Sequence, residues 1–360
     1  MTVTGTAVTG TGRTQAPARP RAQGLGYVPA LDGIRALAIT LVVAYHAVMP
    51  LHFGGAGGVD VFFALSGFLI TTLLLQEHEA RGRISLRRFY LRRAVRLYPA
   101  LVIMLAVVFV PVAVLMGLGN AAWGSVMALF YLMPLGAEAG EDLLSAYAHT
   151  WTLGIEEWFY FLWPIALVLL LHGARVIGRR RKWGTFAVAG TAAVALAVSA
   201  LAVEASSGHM SFILRAFGLM AGCALALALH RSETAARPWH GLAGLALIAF
   251  SVVRSSFFPL STLDTLAAAA GTLLVIFAIL RGPDGALRRV LSWRPFTYVG
   301  QISYEIYLWH YPVLCVAGVI AHTDFVGVGW AAVPLGFGLA AAAHAAAKPL
   351  MRWLRAKLPA

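Results

Sequence analysis

Charge is what this chain of 360 residues has least of: 12% of it is Asp, Glu, Lys or Arg, while 60% is hydrophobic. A soluble domain carries about twice that charged fraction, so a water-soluble globular fold is excluded. Acid is scarcer than base, with 15 Asp and Glu against 28 Lys and Arg, and only three of the latter are lysines. This arginine-heavy, Ala- and Gly-rich usage is that of a high-GC bacterial genome. The two cysteines, Cys223 and Cys315, lie inside apolar stretches, which indicates neither a disulfide framework nor a metal motif. No Walker or dinucleotide glycine loop is present, so a nucleotide triphosphate site is not indicated. The excess of 13 positive charges raises the question of nucleic acid, and its distribution answers no. All but Arg35, Arg215 and Arg254 fall in the segments 1–21, 77–96, 174–183, 231–238, 281–294 and 348–360, between apolar runs.

Those runs are long enough to cross a bilayer as helix. They cover roughly 33–50, 57–75, 97–117, 152–172, 184–203, 211–230, 240–258, 262–280, 297–320 and 329–348. The connections on the other side are acidic or neutral, as in "AEAGEDLLS", "VEASSGH" and "HTDF". Basic connections stay cytoplasmic, so both termini are expected inside and the number of crossings is even. An eleventh apolar run, 121–136, would break that alternation. It is short and closed by Pro134 and Gly136, and reads as a re-entrant or interfacial helix. The expected fold is an all-α polytopic membrane protein, with about ten transmembrane helices, in the inner (plasma) membrane. Residues 1–26 read as a disordered cytoplasmic tail, 27–350 as the membrane domain and 351–360 as a basic cytoplasmic tail. The first apolar run reads as an anchor rather than a cleaved leader.

Ionisable groups at membrane depth are costly and face a bundle interior or a wet cavity. Arg35 and His46 stand eleven residues apart in "IRALAITLVVAYH", which brings them to one helix face about 16 Å apart. Arg35 reads equally as a snorkelling arginine or as a functional group. The glycine-rich turn "LHFGGAGGVD" brings Asp60 to about the depth of His46, where the carboxylate orients the imidazole or complements a helix dipole. In "HTWTLGIEEWFYFLWP", Glu156 and Glu157 sit among Trp151 and other aromatics. A lipid-facing helix does not carry two carboxylates, so at least one is expected to line a polar cavity. In "ISYEIYLWHYPV", Ser303, Tyr307 and His310 share a face, either as a buried hydrogen-bond network or as substrate contacts. Arg93 and Arg96, at i and i+3 in "SLRRFYLRRAVRLYP", fit anionic lipid or a polyphosphate held bidentately.

Assembled, these stretches resemble the acyltransferase-3 family of bacterial integral-membrane O-acyltransferases over about residues 27–350. The diagnostic part is an Arg, ten residues, then a His, here Arg35 and His46. In order follow "GVDVFFALSGFLIT", "RAVR" before "LYP", "HTWTLGIEEWFY" and "SYEIYLWHYP". One feature departs. Members commonly carry a Glu two residues before the proline of the last span, and this chain has Ala347 before Pro349, so that role is absent or relocated. No hydrolase-like domain is expected after the last span.

The resemblance implies transfer of an acyl group, often acetyl, from cytoplasmic acyl-CoA, with no permanently bound cofactor and no metal. The acceptor would be a hydroxyl of an envelope glycan, a lipid-linked sugar or a secreted metabolite. It implies His46 as general base, held by Asp60, with Glu156 positioning the acceptor. Arg35, Arg93 and Arg96 would bind the CoA phosphates, and Trp151, Glu157, Tyr307 and His310 would contact substrate. An imidazole suits the task because its unperturbed pKa of about 6.5 lies near working pH. An acyl-histidine intermediate is the alternative chemistry. A rival from another class is a proton-coupled transporter or flippase using Arg35, His46 and Glu156. It requires two related halves, and the sequence carries no convincing internal repeat.

Overall fold

The computed structural model describes residues 26–47, 55–138, 146–176, 184–208, 211–230 and 232–358. The expected tail over 1–26 and the basic connection 174–183 lie largely outside these residues. The described residues are mostly helical and contain no strand. In chain order the helices are α1 (Pro29–Ala47), α2 (Gly55–Arg81), α3 (Leu86–Met116), α4 (Leu118–Leu129), α5 (Met133–Glu138), α6 (Trp151–Val176) and α7 (Gly184–Ser207). Then come α8 (Phe217–Leu229), α9 (Pro238–Phe257), α10 (Thr262–Arg281), α11 (Ala286–Leu291), α12 (Arg294–Gln301), α13 (Ser303–Ala321) and α14 (Phe325–Ala356). Nine of these are long and apolar enough to cross a membrane. A tenth apolar segment, Ile213–Leu229, is shorter, and it begins as a 3₁₀ turn over Ile213–Ala216 before α8.

The run 121–136 is the pair α4 and α5, broken where Tyr131 takes a left-handed φ of 57°. Neither half can span, as its length suggested. The arginine-rich stretch and the third span form one unbroken helix of 31 residues, α3, with Pro99 and Pro111 inside it. The run 297–320 is not one span: it breaks at Ile302 into α12 and α13. The reason is packing. A Cβ added at Gly300 would lie 1.9 Å from the Asp32 carbonyl oxygen, so α12 lies directly against the start of α1 and α13 must leave at a new angle. The last helix continues to Ala356, past Leu350, where a separate tail was expected.

Helix α2 is the hub, packed on α1, α8, α10 and α6. Its approach to α8 is made by glycine on both sides. A Cβ at Gly67 would come 1.9 Å from the Leu219 carbonyl oxygen, and one at Gly222 would come 2.1 Å from that of Ala64. Small residues that let backbones touch are how helices associate in lipid, where hydrophobicity between helices provides no drive. Around the bundle, large apolar side chains such as Val110, Val114, Phe161, Leu169 and Trp330 stand exposed, as a lipid-facing surface requires.

Candidate active site

The beginning of α1, the length of α2, and parts of α3, α6 and α13 enclose a cavity of about 320 Å³. Its lining runs along α2 from Val59 to Gln76, about 25 Å at the helical rise of 1.5 Å per residue. One end is marked by Tyr27, Leu73 and Gln76, the other by Phe63, Thr152 and Tyr307. At the first end the Tyr27 hydroxyl donates to Asp32 Oδ2 at 2.8 Å and accepts from Gln301 Nε2 at 2.9 Å. The hydrogen bond to Asp32 raises the Tyr27 pKa above its ordinary value.

Three arginines meet in the half of the cavity nearer Tyr27. Arg35 Nε donates to Ser303 Oγ at 3.2 Å, tying α1 to the first turn of α13. Arg93 donates through Nε and Nη2 to Glu157 Oε1 at 3.0 and 2.7 Å and lies 3.1 Å over the Tyr160 ring. Its charge is therefore matched within the protein. Arg35 and Arg96 line the same wall, and among the described residues neither has an ion pair. The carboxylates of Asp32 and Glu156, likewise outside any ion pair, line the cavity with them. Glu157, expected to touch substrate, is held by Arg93. Glu156 accepts from Ser66 Oγ at 2.8 Å. Both carboxylates line the cavity, as a membrane helix carrying two of them required.

At the far end the Thr152 hydroxyl donates to Tyr307 Oη at 2.6 Å, and the Tyr307 hydroxyl donates to the His149 carbonyl oxygen, also at 2.6 Å. Beyond this pair stand three imidazoles. The His46 and His310 rings are 5.2 Å apart, and those of His149 and His310 are 5.4 Å apart. Tyr311 lies beside His46 and His149 at 5.1 and 5.2 Å. His46 Nδ1 is 2.9 Å from the Val42 carbonyl, and His310 Nδ1 is 2.7 Å from that of Tyr307. A carbonyl only accepts, so both Nδ1 atoms carry the proton, and each neutral ring presents a basic lone pair on Nε2. His310 Nε2 and both ring nitrogens of His149 are buried with no hydrogen-bond partner among the described residues. His46 is half-buried, the least enclosed of the three.

The expected His46–Asp60 pair is corrected. Asp60 accepts from Arg215 through both oxygens, Nε to Oδ1 at 3.2 Å and Nη2 to Oδ2 at 2.7 Å, and the two side chains are 0% and 2% exposed. The carboxylate balances an arginine of the 3₁₀ turn preceding α8, and the backbone of Val42 sets the tautomer of His46 instead. Trp151, expected at the substrate, packs edge-on to Phe212 at 4.7 Å and lies 5.2 Å beneath the Arg215 guanidinium. It supports this ion pair and does not line the cavity. His310 and Tyr307 join the histidine cluster and the cavity end respectively. Sequence alone assigns His149 no role; the signal for it is its place three residues before Thr152, in the turn that starts α6. Ala347 is fully buried, and one turn away on α14 His344 Nδ1 pairs with Glu305 Oε1 at 2.8 Å. A carboxylate thus stands on α13 near the position that lacks one on α14.

Comparison with known proteins bears on this geometry. The family model for the acyltransferase domain, Acyl_transf_3, matches residues 28–344. The peptidoglycan O-acetyltransferase OatA of Listeria monocytogenes is 31% identical over 319 residues, 80% of this chain and 49% of the relative. A putative peptidoglycan O-acetyltransferase of Bacillus subtilis, YrhL, is 30% identical over 311 residues, 81% of this chain and 49% of its own length. The O-acetyltransferase OatA of Staphylococcus aureus is 29% identical over 313 residues, 80% of this chain and 51% of its own. The chain thus spans about half the length of these relatives. No solved structure matches it.

Proposed function

Since the chain belongs to the acyltransferase-3 family, we propose that it transfers an acyl group, acetyl in the first instance, from acyl-CoA to a hydroxyl of an envelope glycan. The relatives' names make peptidoglycan the first acceptor to test. The observation that carries this reading is the cavity: its lining follows α2 for about 25 Å, it has three arginines towards one end, and it stops one side chain short of a cluster of histidines. A pantetheine arm is long and thin, and it fits such a shape with its phosphates beside Arg35 and Arg96. The positive-inside rule puts the arginine end in the cytoplasm, where acyl-CoA is made, with both termini on that side of the inner membrane. Arg93 then acts with Glu157 as a fixed wall, Glu156 positions substrate hydroxyls, and His310 holds its place beside the base.

In this mechanism the acceptor hydroxyl gives its proton to His46 Nε2 as its oxygen attacks the thioester carbon. The tetrahedral adduct collapses, the carbon–sulfur bond breaks, and CoA leaves as thiolate to be reprotonated. Transfer is direct, with no covalent enzyme intermediate. The test is thiol release from acetyl-CoA by the purified chain in vesicles, with and without a soluble amino-sugar oligosaccharide. General-base participation is worth about 10²–10⁴-fold, so His46→Ala is expected to lose at least that much turnover at wild-type expression. Near-normal acylation by that variant would remove His46 as the base. Acyl label on His46 without acceptor would replace direct transfer by a two-step route. Carboxylates held by arginine or serine, as Asp60, Glu156 and Glu157 are, support chemistry in a fixed frame over a proton-coupled transporter.

A further inference from the structure

The reaction above develops negative charge on the thioester carbonyl oxygen, and nothing so far receives it. An arginine would serve, but Arg35, Arg93 and Arg96 lie in the other half of the cavity. The side chains at the end nearer the histidines are Val59, Phe62, Phe63, Thr152, Leu153 and Tyr307, and only two of these can donate a hydrogen bond. We propose that the hydroxyls of Thr152 and Tyr307 form the oxyanion hole of this enzyme, an inference that rests on the acyl-transfer reading.

Three observations carry it. Both residues line the cavity end closest to the histidines, and the Tyr307 ring lies 5.4 Å from the rings of both His149 and His310. A thioester carried to that end meets these two residues before the histidines, none of which lines the cavity. Second, the pair is pre-ordered. Thr152 donates to Tyr307, Tyr307 donates to the His149 carbonyl, and both bonds are 2.6 Å. Only rotation about the two C–O bonds is needed to turn the protons to a new acceptor. Third, Thr152 stands in the first turn of α6, where the helix dipole favours negative charge.

The arrangement discriminates in the required sense. A thioester carbonyl is a neutral acceptor and competes poorly with the partners the hydroxyls already have. Once the alcohol oxygen bonds to carbon, its proton passes to His46 and the carbonyl electron pair moves onto oxygen. That oxyanion is a charged acceptor, and charge-assisted bonds are roughly twice as strong as neutral ones. Both hydroxyls then rotate to it, so the stabilisation is made in the transition state and not in the ground state. When the electron pair returns, the carbon–sulfur bond breaks, thiolate departs, and the hydroxyls resume their resting bonds. The His46 proton finally neutralises the thiolate, so the balance is one ester and one thiol from one alcohol and one thioester.

The test uses the full chain in lipid nanodiscs, with acetyl-CoA and a soluble amino-sugar oligosaccharide, and reads thiol release per folded molecule. Removing one oxyanion donor typically costs about 10²–10³ in kcat. Tyr307→Phe and Thr152→Val are each expected to fall in that range, with the KM for acetyl-CoA and the binding of a non-reactive thioether analogue little changed. Thr152→Ser, which keeps the hydroxyl, is expected to stay near wild type. Tyr307→Phe and Thr152→Val both turning over like wild type would overturn the inference. So would Thr152→Ser failing as badly as Thr152→Val, or a loss that appears in KM and analogue binding, since either marks a packing role. Failure of the acyl-transfer reading itself is distinct: there the wild-type chain releases no thiol at all.

Discussion

Replacing Asp60 by Asn separates two roles for one carboxylate. Asp60 and Arg215 are 0% and 2% exposed and joined by two hydrogen bonds. Asp60→Asn keeps the shape but removes the charge that balances the Arg215 guanidinium, which is buried and lies 5.2 Å over the Trp151 ring. Breaking one side of a buried pair costs about 3–5 kcal/mol, or roughly two to three and a half orders of magnitude in the folded fraction. For a chain of this size that is a loss on the order of 5–15 °C in melting temperature. The double variant Asp60→Leu/Arg215→Met removes both charges, and replacing a buried pair by apolar side chains is often neutral or stabilising. It is therefore expected to regain most of the loss. Melting of detergent-purified protein, followed by size-exclusion chromatography after heating, measures this directly. Thiol release from acetyl-CoA, normalised to folded protein, measures the chemistry. If Asp60→Asn melts like wild type yet loses turnover as far as His46→Ala does, the carboxylate belongs to the reaction and the structural assignment is wrong.

Arg35→Ala and Arg96→Ala are each expected to raise the KM for acetyl-CoA by about 10–150-fold, the equivalent of one charged hydrogen bond at about 1.5–3 kcal/mol. The effect should vanish with acetyl-pantetheine, which lacks the nucleotide; an unchanged KM for acetyl-CoA would detach these arginines from donor binding. Gly222→Ala puts a methyl 2.1 Å from the Ala64 carbonyl oxygen and is expected to cost about 1–3 kcal/mol by overpacking. Wild-type melting of that variant would show that α2 and α8 tolerate separation.

Fold class was legible because apolar run length carries it: α2, α3, α6, α7, α9, α10, α13 and α14 all fall on runs long enough to cross. The break at Ile302 was not, because its cause is the contact of Gly300 with Asp32, 268 positions away in the chain. The same limit applies within the site. Spacing gave the shared face of Arg35 and His46, since that is geometry within one helix. It could not pair Asp60 with Arg215 across 155 residues, and depth alone suggested the nearer histidine. Nor could it separate Arg93 from Arg96. They are one turn apart and chemically identical, but only Arg93 meets Glu157.

The spacing of Arg35 and His46 acquires a physical meaning from α13. Arg35 bonds to Ser303, and His46 lies against His310, so α1 and α13 run in the same direction. Between these contacts α1 advances eleven residues and α13 seven, about 16 Å against about 10 Å. The difference of about 6 Å is within the reach of an extended arginine side chain, which leans along the axis to meet Ser303. Tyr307 sits between the two contacts, four residues after Ser303 and three before His310. The helix pair therefore holds three levels: a guanidinium, a hydroxyl and an imidazole. Changing the spacing within α1 would shift the guanidinium against the imidazole by about 1.5 Å per residue and also rotate it by about 100° to another face. One helix thus sets both the separation and the direction of the two side chains.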